Sequence, residues 1–235
     1  MTNQLVLIIV MLFLQACATA APAPPPAPRA DRFDVEVRPL FFDGFQGNKE
    51  ALDEGMKKAE EELARNPGNA EALVWHGSGL VFRAGRAFAK NDAKTGMELY
   101  GRGRQEMDHA AALAPENPAV RIPRGATYLT ASSNMPPSSE ATKVLEIGVA
   151  DYEKILELQR AYLGRLSTHA RGQLFYGMAD GYQRLGQAER ARSYYERLVA
   201  EAPESPLVPR ARAWLDGKPE TDKVTCLGCH VTASR

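Results

Sequence analysis

An excess of charge of either sign is missing from this chain. Lys plus Arg and Asp plus Glu number 29 each over 235 residues. That balance argues against nucleic acid or an anionic membrane as an electrostatic partner. Strand-like runs are few, and no apolar stretch after Cys17 is long enough to cross a bilayer as a helix. Signatures of hydrolytic and nucleotide chemistry are missing too. There is no H-E-x-x-H and no G-x-S-x-G. Gly101-Arg102-Gly103-Arg104 lies inside a helical pattern and lacks the Lys-Ser/Thr ending of a phosphate loop. No pair of groups stands out for general acid–base work, so an enzyme is not expected. Cysteine and histidine are scarce, at three and four, so their positions are informative.

What is present begins with an apolar run of ten, Leu5 to Leu14. It is too short to span a bilayer as a helix and suits the h-region of a secretory signal. Leu14-Gln15-Ala16-Cys17 follows directly. This tetrapeptide resembles the lipobox of bacterial lipoproteins. The resemblance implies cleavage before Cys17, a diacylglycerol thioether on Cys17 and, with Ala18 rather than Asp at the next position, the outer membrane. The n-region Met1-Thr2-Asn3-Gln4 departs from the pattern because it has no Lys or Arg. An ordinary signal peptide is the alternative. The following segment, Ala18 to Ala30, is almost entirely Ala and Pro. It cannot build a core, and as extended polyproline II it would hold a domain up to ~40 Å from the lipid surface.

The other end carries Cys226-Leu227-Gly228-Cys229-His230, five residues from the C-terminus. C-x-x-C-H is the spacing that attaches a c-type haem. Two thiols three residues apart can each add to one vinyl group of a porphyrin. The histidine after the second thiol can then reach the iron as proximal ligand. If Cys17 carries lipid, the motif uses every remaining cysteine. Lipid and haem attachment both occur on exported proteins, so the two ends agree. The alternatives are a disulfide or a reactive dithiol. A structural zinc site would want a fourth ligand. The flanks Val224-Thr225 and Val231-Thr232 resemble single attachment segments of multihaem cytochromes. So short a tail cannot cover a haem, which must dock on the body, stay exposed or be buried by a partner. Candidates for the sixth ligand are His76, His109, His169 and Met178, and the sequence does not choose among them.

Between the two ends the chain reads as helical, with hydrophobic content of 44% and charged content of 25%, ordinary for a globular domain. Two segments share a spacing. Trp75, Gly79 and Phe82 are four and three apart, as are Phe175, Ala179 and Tyr182; Gly103, Met107 and Pro115 are four and eight apart, as are Ala191, Tyr195 and Pro203. Large–small–aromatic and then small–large–proline resembles the tetratricopeptide repeat. In that family the small residues let paired helices approach, the aromatics fill the gaps and the proline ends the second helix. The match is good over 172–205. Over 71–116 it is partial, with a longer stretch between its halves that includes Arg86 to Asp92. A third, degenerate pair is expected between them: Ala119–Ser132, a break at Pro136-Pro137, a cap at Ser138 or Ser139, then a helix to about Leu163. A helix from about Asn48 to Arg65 precedes them, and Pro209 to Leu215 reads as a closing cap.

The expected fold is all-α: a tetratricopeptide-like solenoid of about three helix pairs plus caps. A non-repeat helical bundle is the alternative. The expected organisation is a signal peptide over 1–16, lipidated Cys17 and linker over 17–32, an extended strap over 33–47, the helical domain over 48–216 and the motif-bearing tail over 217–235. Phe33 to Val37 alternates like a short strand, with Phe41, Phe42 and Phe45 as its anchor. The expected role is a periplasm-facing, lipid-anchored protein that binds a protein partner and places one haem c, held by Cys226, Cys229 and His230, beside that partner's redox centre. The rival readings are an envelope scaffold without redox chemistry and a ligand-binding accessory lipoprotein of a transporter.

Overall fold

The structure, a computed structural model, describes residues 32–218. Cys17, the Pro/Ala segment and the residues Cys226, Cys229 and His230 lie outside the described residues. Within them the chain is helical and has no strand. The helices are α1 Phe33–Phe45, α2 Lys49–Arg65, α3 Ala70–Ala89, α4 Ala93–Leu113, α5 Pro118–Asn134, α6 Ser139–Gln159, α7 Thr168–Arg184, α8 Ala188–Glu201 and α9 Val208–Leu215. A 3-10 segment, Arg160–Arg165, follows α6.

Local chemistry sets these boundaries. Asn48, Asn69, Asp92, Asn117, Ser138 and Ser167 each accept a backbone N–H of the first helical turn from their side chains. That satisfies a donor the helix cannot satisfy itself. The turns inside three pairs need a left-handed residue, at Gly47 (φ 111), Asn91 (φ 60) and Gly186 (φ 73). Glycine and asparagine tolerate that conformation best. The turns between pairs carry Pro67, Pro115 and Pro203 just beyond the helix ends, where proline cannot continue a helix.

The segment 33–47 is not an extended strap. It is helical from Phe33 to Phe45. The alternation of Phe33, Val35 and Val37 suggested period two, but Val37 and Phe41 are the positions fully buried, four apart, with Phe45 packed beside them. Their burial fixes the helical period despite Pro39 in the helix interior. The described residues therefore form the three expected pairs, α3–α4, α5–α6 and α7–α8, flanked by the pair α1–α2 on one side and the closing helix α9 on the other.

The pairs stack in two layers. The first helices α1, α3, α5 and α7 lie side by side, and each second helix packs into the groove before the next pair. Glycines make those grooves. A Cβ at Gly79 would strike Met56 and Phe41 of the preceding pair, and one at Gly177 or Gly181 would strike Tyr152 or Val149. Helix α3 is buried on every side, with no exposed residue from Ala72 to Val81. Its small residues Ala72, Gly77, Ser78 and Gly79 let neighbours approach from all directions. Two hydrophobic clusters result. The first gathers Val37, Phe41, Met56, Trp75 and Tyr128; the second gathers Leu129, Tyr152, Phe175, Tyr182 and Leu198.

Candidate functional site

The four candidates for an axial ligand fall into two groups. His76 is 1% exposed and held between two helices: its Nδ1 is 2.5 Å from Glu106 on α4, and its Nε2 is 3.4 Å from Glu60 on α2. Met178 is fully buried in the second cluster. Neither can meet an iron without unfolding its surroundings. His109 on α4 and His169 on α7 are exposed. Among the described residues, no group of three or more His, Cys, Asp or Glu is arranged to hold a metal ion.

His169 heads a stripe on the outer face of α7 that continues through Gln173, Tyr176 and Asp180 at helical spacing. From Tyr176 a row of rings crosses to the closing helix. The Tyr176 ring meets the Tyr195 ring edge-on at 5.9 Å, and Tyr195 lies 4.7 Å from Trp214 of α9. The Arg192 guanidinium sits over Trp214 at 5.6 Å. The Tyr195 hydroxyl donates to Gln183 at 2.8 Å. Burial pushes the Tyr195 phenol up, and Tyr176 and Asp180 add to the effect. Burial likewise raises the Asp180 carboxyl, against the pull of Arg184 at 3.2 Å.

The chain leaves the described fold beside this row. Gly217 takes φ 72, its N–H bonds the Trp214 carbonyl at 3.0 Å, and the Lys218 N–H bonds the Ala213 carbonyl at 2.8 Å. That glycine turn closes α9.

Two polar networks had no signal in the hydrophobic periodicity. In the centre, Asp151 is fully buried and pairs with Arg121 at 2.6 Å and Arg124 at 2.8 Å. Arg124 continues to Asp108 at 2.7 Å, where the Tyr128 hydroxyl also donates at 2.7 Å. This network joins α4, α5 and α6. At the other end, Asp34 is 1% exposed and accepts from the Trp75 indole N–H at 3.0 Å, from Arg32 at 2.9 Å and from Arg38. Glu71 accepts from the Asp34 backbone N–H at 2.9 Å, from Arg32 at 3.2 Å and from Asn117 at 3.2 Å. It thereby ties the N-termini of α1, α3 and α5 together, where the upstream chain enters. Every buried side-chain polar atom among the described residues has a partner. Both networks are therefore satisfied from within the fold.

No family model, no curated protein and no solved structure matches this chain.

Proposed function

We propose that the chain is a lipid-anchored, tetratricopeptide-like protein of the bacterial cell envelope that carries one covalent haem c and exchanges electrons with a protein partner. The observation that carries this reading is Cys226-Leu227-Gly228-Cys229-His230 in a chain whose only other cysteine follows an apolar leader in a lipobox-like sequence. Cys226 and Cys229 hold the porphyrin by thioethers, His230 binds the iron, and Cys17 carries the lipid. Bound haem supplies one-electron chemistry. The helix pairs serve as the platform: stacking of first helices in one layer and second helices in the other is the arrangement the repeat family uses. The face of α7 that carries His169, Gln173, Tyr176 and Asp180 is the one offered to a partner. The role is transfer and placement rather than turnover of a substrate.

Intact-mass analysis of the mature chain, produced in a host that matures c-type cytochromes, tests the reading. The mass should include one porphyrin and one diacylglycerol, and the colour should survive denaturation. Cys226→Ala with Cys229→Ala should abolish the porphyrin mass and the colour together. A colourless protein with free or bridged tail thiols leaves only the scaffold reading.

A further inference from the structure

We propose that the tip of the α3–α4 hairpin docks on an anionic lipid surface, with Phe88 and Met97 entering the interface and Arg86, Lys90 and Lys94 meeting the headgroup phosphates. The inference rests on neither the haem nor the lipid anchor proposed above. The pair α3–α4 outreaches its neighbours. Phe45, the last residue of α1, has its ring 5.0 Å from that of Phe82. Met135, the C-cap of α5, accepts from the Tyr100 hydroxyl at 3.8 Å. Beyond those contacts α3 continues to Ala89 and α4 starts back at Ala93. At about 1.5 Å per residue, each helix projects about 10 Å past its neighbours. From Gly85 to Glu98 every residue is exposed except Ala87 and Gly96.

The side chains on this tip point to one kind of partner. Phe88 is 40% exposed and Met97 64%. They stand together: the Phe88 ring lies against Gly96, where an added Cβ would be 2.5 Å from it, and Met97 is the next residue. Neither belongs to the two hydrophobic clusters of the body. Arg86, Lys90 and Lys94 are exposed and make no ion pair among the described residues. Arg83, at the base, is held by Asp53 at 2.7 Å. The acids of the stretch are Asp92 and Glu98, and Asp92 is committed to the Thr95 N–H as the α4 cap. Lys94 stands in the first turn of α4, which contains no acid. A cation there opposes the helix dipole, so it does not serve the helix. The chain as a whole is neutral, so the attraction is local to the tip. Apolar side chains on a convex summit flanked by cations suit a planar surface of acyl chains beneath anionic headgroups. So few groups give a reversible contact, one that orients the domain at a surface without anchoring it.

The mature chain carrying Cys17→Ser, which cannot take a lipid, is mixed with vesicles of phosphatidylethanolamine and phosphatidylglycerol, or of phosphatidylcholine alone, and binding is read by flotation. Circular dichroism checks folding. The protein should float with the anionic vesicles and not with the neutral ones, and about 0.5 M sodium chloride should release it. Lys90→Glu with Lys94→Glu, and separately Phe88→Ser with Met97→Ser, should each weaken binding by about tenfold or more. Lys57→Glu with Lys143→Glu makes the same change in net charge at exposed positions away from the tip and should bind as the parent does. A parent chain that ignores the anionic vesicles overturns the proposal. So does a tip variant that binds as tightly as the parent, or a control variant that loses binding equally. The haem and lipid-anchor readings stand or fall separately, by mass.

Discussion

Gly77 of α3 and Gly103 of α4 face each other so closely that a Cβ on either would stand 2.6 Å from the other's carbonyl oxygen. Backbone meets backbone there, so nothing flexible can give way. Gly103→Ala should destabilise the fold by about 1–3 kcal/mol through overpacking. Gly101, two residues earlier on the same helix, has open space where its Cβ would be. Gly101→Ala should stabilise by roughly 0.5–1 kcal/mol, the usual gain of alanine over glycine in a helix. Denaturant melts of the two variants should move in opposite directions.

Asp34 links α1 to α3 through the Trp75 indole. Asp34→Ala would leave that buried N–H without an acceptor, release Arg38 and leave Arg32 held by Glu71 alone. A loss of about 1–3 kcal/mol is expected. Trp75 and Trp214 are the chain's only two tryptophans. In a Trp214→Phe background, Trp75 emission should shift to the red as α1 loosens, well before the bulk of the helical signal melts.

Asp92 caps α4, and the Thr95 hydroxyl and backbone N–H hold its carboxyl below the ordinary range. A carboxyl with a depressed folded value stabilises above its unfolded pKa, about 3.9, and that contribution is lost as pH falls through the folded value. Asp92→Asn keeps a capping oxygen without the titration. The variant and the wild type should diverge in acid, with the wild type alone gaining a proton-linked loss. Carboxyl carbon chemical shifts of Asp92 across the acid range provide the direct readout.

Cys17→Ser removes the thiol that the lipid would occupy. In cell fractionation the wild type should remain with membranes and the variant should appear in the soluble envelope fraction, with its haem content unchanged. Equal membrane retention of both would end the lipid-anchor reading.

The repeat pattern was legible because packing at a four-residue rhythm leaves large and small residues in fixed places. Trp75, Gly79 and Phe82 marked α3, and Phe175, Ala179 and Tyr182 marked α7. The partners of those residues were less legible. Gly79 was expected to bring α3 and α4 together, yet it receives Met56 and Phe41 from the preceding pair, while Gly77 serves its own pair. Spacing along one helix does not say which neighbour fills a gap. Helix α1 was misread for a related reason. Phe33, Val35 and Val37 fit period two, and only the burial of Val37 and Phe41 against Trp75 decides for helix. The Asp151–Arg124–Asp108 chain was invisible, since charged residues read as surface until their partners across three helices are known. Burial separates His76 and Met178 from His109 and His169, a division that periodicity alone could not make.

Tyr128 belongs to one hydrophobic cluster and Leu129, its neighbour along α5, to the other. The two halves of the protein thus share a single wall one residue thick. Cutting the chain at the Pro136-Pro137 turn would strip an apolar flank from each fragment, so neither half is a module that evolution or an experimenter could detach, swap or shorten independently.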